Sequence, residues 1–207
     1  MICAIVLAAG QSKRMGLQKL LLHFAGKTVI SYIVDQLTAS LVDEVYVVVG
    51  SHREQVSREL SGRPVSIVYN PDYKSDMLSS VRCGLRAISK QCKAVLVALG
   101  DQPSVTTKLV DRMLENFTSS QKQILVPLYD GKRGHPIIFS AAYRDEILTD
   151  YDDIGLRGLL YNHKEDIFEL PVHMSGVLSD MDYPEDYRRE LAFFEEKSGK
   201  NLPLEDQ

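Results

Sequence analysis

Over residues 1–120, short apolar runs alternate with longer amphipathic stretches. The apolar runs over 2–7, 45–49 and 94–99 predict strands buried on both faces, and 65–69 predicts a further strand. Between these runs, apolar residues recur with helical spacing over 29–37, 53–60, 78–88 and 107–117. This alternation predicts βαβ units and a mainly parallel, doubly wound sheet in a three-layer α/β/α fold.

The pattern becomes less regular towards the end of the chain. We expect strands over 124–127, 136–139 and 167–170, with a turn-rich loop over 130–134. Helices are expected over 143–148, 156–161 and 184–196. Because no repeat, linker or low-complexity tract interrupts the pattern, we expect one domain over 1–197 and a polar tail over 198–207.

The composition of the chain disfavours several classes of protein. The chain has 207 residues, and its formal net charge of −4 gives no basic field for nucleic acid. No stretch predicts a signal peptide or a membrane span, so we expect a cytoplasmic protein without a membrane partner. Cys3, Cys83 and Cys92 lack metal-ligand spacing, and we expect free, buried thiols.

The first predicted strand leads into a loop that combines small residues with cationic ones: Ala8, Ala9, Gly10, Lys13, Arg14 and Lys19. Ligands of parallel α/β sheets bind at the carboxyl ends of the strands. Small residues let backbone N–H groups approach phosphate oxygens, and the cations would offset the charge of a triphosphate. The alternative is a surface loop whose charges are merely solvated.

Two other phosphate-binding loops are disfavoured by spacing. Gly10 and Gly16 do not supply the G-x-G-x-x-G of a dinucleotide-dependent oxidoreductase. Gly16 is followed by Leu17, whereas a Walker A loop requires Lys there.

Asp101 follows the clearest predicted central strand and should lie at the same rim of the sheet as the first loop. Because Mg²⁺ binds nucleoside triphosphates through one or two carboxylates, we interpret Asp101 as a metal ligand. An Asp at this position can instead cap a helix or form a turn.

The segment 7–20, L-A-A-G-Q-S-K-R-M-G-L-Q-K-L, resembles the signature of the MobA-like NTP transferases. This group includes the molybdopterin cytidylyl- and guanylyltransferases. G-D-Q-P at 100–103 and D-M-D-Y-P-E-D at 180–186 resemble further motifs of the family, with Tyr183 in place of the usual Thr. The resemblance covers roughly residues 2–190 and implies a Rossmann-like nucleotidyltransferase fold.

The resemblance also implies site residues. Arg14, Lys19 and Asp101 would be catalytic. The nucleotide would lie against Leu7, Ala8, Ala9, Gly10, Arg14, Lys19, Asn70, Ser79, Ser80 and Asp101. The metal ligands would be Asp101 and Asp182, with Asp180 as the alternative to Asp182. The acceptor would contact Gln102, Lys132, Arg133, Gly134, His135 and Arg157.

Several of these residues have structural alternatives. The Asn70 amide can face a pyrimidine edge, whereas Ser79 and Ser80 can simply cap the helix that follows. Asp182 precedes Pro184 and can be a helix N-cap, and His135 before Pro136 can be structural.

Two motifs indicate which nucleotide and which acceptor are used. Ala8-Ala9-Gly10 is similar to the cytidylyltransferases, whereas guanylyltransferases usually have Ala-Gly-Gly. G-K-R-G-H-P at 131–136 is typical of enzymes that act on molybdopterin. We therefore expect Mg²⁺-dependent transfer of CMP from CTP to the molybdenum cofactor, which then serves a molybdenum hydroxylase client.

The alternatives are a guanylyltransferase, a nucleotidyltransferase acting on a sugar phosphate or other small phosphate, and a carrier of the molybdenum cofactor without catalysis.

Overall fold

The computed structural model describes residues 1–12 and 15–198. The strands are β1 (Ile2–Ala8), β2 (His23–Phe24), β3 (Lys27–Thr28), β4 (Glu44–Val49), β5 (Ser66–Tyr69), β6 (Ala94–Leu99), β7 (Ile124–Tyr129), β8 (Lys132–Arg133), β9 (Ile137–Ser140) and β10 (Ile167–Pro171). The α-helices are α1 (Val29–Thr38), α2 (Arg53–Glu59), α3 (Met77–Ala87), α4 (Thr107–Ser119), α5 (Arg144–Thr149), α6 (Arg157–Asn162) and α7 (Pro184–Ser198). Short 3₁₀ turns lie at Lys19–Leu21, Ala141–Tyr143, Lys164–Asp166 and Ser175–Leu178.

The main sheet has the strand order β10-β7-β9-β6-β1-β4-β5, with β8 paired to β7. The pairs β1–β4, β1–β6, β4–β5 and β7–β10 are parallel, whereas β9 is antiparallel to both of its neighbours. The predicted mainly parallel sheet with helices on both faces is therefore confirmed. The reversed direction of β9 was not anticipated from the apolar pattern.

The strand order reverses at β1. The chain passes from β1 to β4 and β5 on one side and then returns to β6 on the other side of β1. Leu7 lies opposite Leu99, and the N–H of Gly100 donates to the carbonyl of Leu7 at 3.0 Å. A Cβ at Gly100 would lie 2.8 Å from that carbonyl oxygen, so Gly lets the two strand ends meet closely. Such a switch point is where doubly wound sheets bind ligands.

Alternate residues of β1 point into separate halves of the core. Ala4 and Val6 belong to the cluster that packs against α1 and α4, with α7 beside it. Cys3 and Ile5 belong to the cluster under α3, α5 and α6. Successive side chains of β1 point to opposite faces of the sheet, and helices cover both faces. Successive residues of the central strands are therefore apolar.

Helix α7 ends at Ser198, so the predicted tail lies outside the described residues apart from Ser198. Among the helices of the described ranges, none combines the length and the apolar character that crossing a membrane requires.

One expectation about cysteine was wrong. Cys3 and Cys92 form a disulfide, with Cα atoms 6.0 Å apart, whereas Cys83 is free. The separation of 89 positions along the chain conceals the pairing in the sequence. In the fold, β1 and the turn before β6 are adjacent, and the Cα separation lies within the range that disulfides require.

Gly84 provides a test of the packing between α3 and β1. A Cβ at Gly84 would lie 2.6 Å from Cγ2 of the fully buried Ile5. We expect Gly84→Val to lower the free energy of unfolding by about 3 kcal/mol, because the added side chain overpacks the core. Urea denaturation measures the change.

Arg86→Val is the matched control, since Arg86 is exposed on the same helix. Arg86→Val introduces the lower helix propensity of Val but does not overpack the core. We expect its free energy of unfolding to change by less than about 1 kcal/mol. Equal losses in the two variants would contradict this account of Gly84.

Candidate active site

The loop that leaves β1 places Lys19 at the switch point. Among the described residues of this loop, Ser12 and Gly16 have positive φ, 49° and 68°. The Ser12 hydroxyl donates to the Gln18 side chain at 2.6 Å, and the 3₁₀ turn begins at Lys19. Lys13 and Arg14 lie outside the described residues, so the role expected for Arg14 stays a prediction.

The Lys19 ammonium bridges two carboxylates from distant parts of the chain. Its Nζ lies 2.5 Å from Oδ2 of Asp101 and 3.0 Å from Oδ1 of Asp182. The Lys19 side chain is only 12% exposed. The loop after β1, the loop after β6 and the segment before α7 therefore meet at one buried cation.

Burial and charge act in opposite directions on these groups. Burial disfavours the charged form of Lys19, but Asp101 and Asp182 more than compensate, so the pKa of Lys19 is raised. Burial raises the pKa of Asp180, and the nearby Asp101 carboxylate adds to that rise. The amide of Gln102 partly offsets it by donating to Asp180 Oδ1 at 2.8 Å. The site thus has several carboxyl groups around one ammonium.

Asp101 does not cap the helix that follows β6. Thr106 caps α4 by accepting from the N–H of Leu109. Asp186 accepts from the backbone N–H groups of Asp182 and Tyr183, at 3.1 and 2.9 Å. The Asp186 carboxylate accepts both of these hydrogen bonds. The Tyr in place of the usual Thr at position 183 therefore leaves the backbone hydrogen bonds of this turn intact.

A cavity of about 510 Å³ opens above this cluster. The predicted nucleotide or metal residues that line it are Leu7, Ala9, Gly10, Lys19, Ser80, Asp101 and Asp182. The loop over 73–76 and the side chain of Met15 also line it, and the sequence analysis missed both.

Of the expected nucleotide residues that the structure describes, three do not line this cavity. Asn70 is 2% exposed, and its amide donates to the hydroxyls of Ser79 and Ser80 at 3.1 and 3.0 Å. Its carbonyl oxygen accepts from the N–H of Asp72 at 2.9 Å, so the buried amide is engaged within this turn. The Ser79 hydroxyl donates to the carbonyl of Asp76 at 2.8 Å, and the Ala8 side chain packs in the core. Asn70 and Ser79 therefore hold the turn between β5 and α3.

A second cavity, of about 670 Å³, adjoins the first. The predicted acceptor residues along its wall are Gln102, Arg133, Gly134, His135 and Arg157. Residues lining both cavities are Asp76, Met77, Leu99 and Asp180. Two ligands bound in these cavities would therefore meet beside Asp180 and the Lys19 cluster.

Polar groups in the second cavity are held in fixed positions. The backbone N–H of His135 donates to the carbonyl of Val177 at 2.9 Å. Burial lowers the pKa of His135, Asp101 opposes this effect, and the nearby Arg157 adds to it, so the net shift favours the neutral imidazole. Gln102 is 1% exposed, and its Oε1 has no hydrogen-bond partner within residues 1–12 and 15–198. A bound ligand can satisfy that oxygen.

Lys132 is not in this cavity, contrary to the expectation. Asp130 and Gly131, with φ of 48° and 71°, form the turn, and Lys132 and Arg133 already belong to strand β8. Successive side chains of a strand point to opposite faces, so only one of the two can face the cavity. Arg133 lines it and forms an ion pair with Glu169, with Nε 2.7 Å from Oε1.

The family model of the MobA-like NTP transferase domain matches residues 4–167. The chain belongs to the MobA-like NTP transferase family. The resemblance that rested on short motifs is thus confirmed over most of the chain.

Relatives in this family have different names. The chain is 30% identical to a nicotine blue oxidoreductase of Paenarthrobacter nicotinovorans, over 77% of this chain and 81% of that protein. It is 32% identical to a probable molybdenum cofactor guanylyltransferase of Pyrococcus horikoshii, over 69% of each. It is 24% identical to the molybdenum cofactor cytidylyltransferase of Escherichia coli, over 88% of this chain and 92% of that protein.

Solved structures agree on the fold. Rv0371c from Mycobacterium tuberculosis has a TM-score of 0.83 at 28% identity, covering 92% of this chain and 97% of that one. A nucleotidyl transferase from Methanothermobacter thermautotroptrophicus has a TM-score of 0.82 at 26% identity, covering 95% and 99%. A structure of Rv0371c in complex with manganese has a TM-score of 0.78 at 27% identity, covering 92% and 98%.

The carboxylates beside Lys19 are candidate ligands for a hard divalent cation. Asp101, Asp180 and Asp182 offer oxygen donors alone, which is the ligand type that Mg²⁺ and Mn²⁺ prefer. Asp101 and Asp182 already share one cation, the Lys19 ammonium, at 2.5 and 3.0 Å. A metal ion between them would have to displace that ammonium.

The competition between the Lys19 ammonium and a metal ion predicts that loss of the lysine strengthens metal binding. We expect Lys19→Met to strengthen Mn²⁺ binding in the absence of nucleotide by about tenfold, because the competing positive charge is removed. Electron paramagnetic resonance of free Mn²⁺ measures the affinity.

Lys27→Met is the matched control, since Lys27 forms a 2.6 Å ion pair with Asp35 and lines neither cavity. Its Mn²⁺ affinity should equal that of the wild type. Weaker Mn²⁺ binding in Lys19→Met than in the wild type would refute the competition.

Proposed function

We propose that this protein transfers CMP from CTP to the molybdopterin cofactor, with Mg²⁺ as the metal and pyrophosphate as the leaving group. The proposal rests above all on the Lys19 cluster, which lies where the two cavities adjoin. The nucleotide would occupy the cavity beside the β1 loop, and the pterin the cavity beside His135. The matured cofactor would then serve a molybdenum hydroxylase.

The reaction requires no protein nucleophile. An oxygen of the acceptor phosphate forms a bond to the α-phosphorus of CTP, and the bond from that phosphorus to the pyrophosphate oxygen breaks. The attacking phosphate is already an anion at neutral pH, so no strong base is required. The catalytic task is to hold two anions in line and to offset their repulsion.

The residues of the cluster have separate parts in this task. Lys19, once it leaves the carboxylates, would move its positive charge to the phosphates and to the departing pyrophosphate. Asp101 and Asp182 would hold the metal, which supplies Lewis-acid stabilisation of phosphoryl oxygens. The predicted contribution of Arg14 is a second positive charge on the same phosphates.

The case for CTP rests on the size of the nucleotide cavity near Ala9. Ala9 lines this cavity and is 5% exposed, so its Cβ occupies space that a Gly would leave open. A smaller pyrimidine base suits the narrower site. The cytidylyltransferase of Escherichia coli supports this choice, whereas the Pyrococcus relative is named a guanylyltransferase.

The case for a pterin rests on the lining of the second cavity. Apolar side chains of Leu156, Leu160 and Tyr161 line it alongside the polar Gln102 and His135. A flat ring system with N–H donors would bury against the apolar groups and satisfy the Gln102 oxygen. A sugar has hydroxyls on all sides and would leave many of them facing apolar carbon.

A matrix of substrates tests the proposal. Each of the four ribonucleoside triphosphates would be combined with Mg²⁺ and with molybdopterin or a sugar 1-phosphate, and pyrophosphate release measured. We expect release with CTP and molybdopterin, and mass spectrometry should find the cytidine dinucleotide. Faster release with GTP would favour the guanylyltransferase alternative, and release with the sugar phosphate would replace the acceptor. Cofactor binding without any release would favour a carrier.

A second candidate function is an oxidoreductase, because the Paenarthrobacter relative at 30% identity is named one. We favour nucleotidyl transfer because the carboxylates around Lys19 suit a metal and a triphosphate, and the β1 loop lacks dinucleotide spacing. Oxidation of NADH or NADPH with nicotine blue, and no pyrophosphate release, would reverse this preference.

Asp101→Asn tests the role of the charge at that position. We expect turnover to fall by at least about 100-fold, because the amide keeps the shape but no longer offers an anionic oxygen to the metal. Steady-state pyrophosphate release measures it, with circular dichroism as a check of folding.

Asp130→Asn is the control, since Asp130 lies in the exposed turn before β8 with a φ of 48° that Asn also adopts. Its turnover should match the wild type. Wild-type turnover in Asp101→Asn would exclude a catalytic role for Asp101.

A further inference from the structure

Arg82 on α3 connects that helix to the wall of the second cavity. Its Nε donates to the carbonyl of Ile147 at 2.8 Å, and one terminal nitrogen donates to the carbonyl of Asp150 at 2.6 Å. The other terminal nitrogen pairs with Oδ1 of Asp152 at 2.5 Å. The Arg82 side chain is 16% exposed, so this is a partly buried clamp rather than a solvated surface pair.

The clamped segment leads directly into the acceptor cavity. Residues 152–157 all line that cavity, and they include Arg157, whose charge lowers the pKa of the buried His135. The segment is not regular: Tyr151 and Gly155 have φ of 80° and 67°. The backbone hydrogen bonds of this segment are local, joining residues of the loop to one another and to the ends of α5 and α6, so contacts from other elements must fix its position against α3.

Tyr151 supplies one such contact and Arg82 another. The Tyr151 side chain is 9% exposed and belongs to the core cluster under α5 and α6. The carbonyl of Tyr151 also accepts from the N–H groups of Ile154 and Gly155 at 3.2 and 2.8 Å. Arg82 is the contact that ties the loop to α3, whose first residue, Met77, lines both cavities.

The three acceptors suit an Arg and no other side chain. Two are carbonyl oxygens at the end of α5 and one is a carboxylate, and they are reached from different edges of one planar group. A guanidinium presents its donors in a fixed fork, whereas a Lys ammonium is a single point charge. Carbonyls at a helix carboxyl end also favour a cation.

From these contacts we infer that Arg82 is a positioning residue for the acceptor. It holds the loop over 150–157, and thereby Arg157, in the conformation that receives the acceptor phosphate. Arg82 lines neither cavity, so it acts through the loop and contacts no substrate. The inference rests on the proposed function for the identity of the acceptor, but the clamp itself does not depend on that identity.

The test compares Arg82→Met and Arg82→Lys with the control Arg86→Met. Arg86 is exposed one turn further along the same helix. We expect Arg82→Met to raise KM for molybdopterin by about tenfold or more and KM for CTP by less than about twofold, because displaced positioning groups weaken substrate alignment. Arg82→Lys should give an intermediate KM for molybdopterin, and Arg86→Met should match the wild type.

Asp152→Asn provides a milder change if Arg82→Met folds poorly. It weakens one of the three contacts, at a residue whose side chain is 75% exposed, so KM for the acceptor should rise by about two- to threefold. A merely structural role for Arg82 would raise both KM values together or lower the unfolding temperature without changing their ratio.

Hydrogen–deuterium exchange separates failure of the inference from failure of the proposed function. In Arg82→Met, amides over 150–157 should exchange at least about tenfold faster, while β1 and β6 keep wild-type protection. Unchanged exchange in the loop, or an equal rise in both KM values, would overturn the inference. If the wild type itself uses no molybdopterin, the proposed function fails, and the exchange rates alone decide whether the clamp exists.

Discussion

The structure of the site depends on one ammonium held between two carboxylates. A Lys as buried as Lys19 is costly unless it is paired, and two carboxylates as close as Asp101 and Asp182 repel each other unless a cation lies between them. Each of the three groups is therefore stabilised where it is by the other two. The same arrangement makes the cation exchangeable, since a metal ion can satisfy the carboxylates and phosphates can satisfy the lysine.

The fold brings these groups together through the switch in strand order at β1. Because β1 and β6 are neighbours and end level with each other, the loops that follow them lie side by side. Gly100 permits the close approach of the strand ends, and Asp101 follows at once. Helix α3, packed on β1 through Gly84, carries Met77 between the two cavities and Arg82 behind the acceptor loop. The strands and the helix that pack together here therefore also carry the residues that line the cavities or hold their walls.

Local sequence patterns predicted what depends on neighbours along the chain. Apolar runs located β1 and β6, and the motif at 7–20 placed Lys19 in a loop beside the ligand. Pairing between distant residues had no such pattern: Lys19 and Asp182 are 163 residues apart, and Cys3 and Cys92 are 89 apart. Lys132 and Asn70 do not line the two cavities, for a different reason. A motif gives residue types, but strand alternation turned Lys132 away from the cavity, and burial committed the Asn70 amide to two serines.

Anomalous diffraction from crystals grown with Mn²⁺ and a non-hydrolysable CTP analogue tests the central claim most directly. Our account predicts a manganese peak between the carboxylates of Asp101 and Asp182, with the Lys19 ammonium moved onto a phosphate oxygen. A manganese peak elsewhere, with Lys19 still bridging both carboxylates beside bound nucleotide, would contradict it.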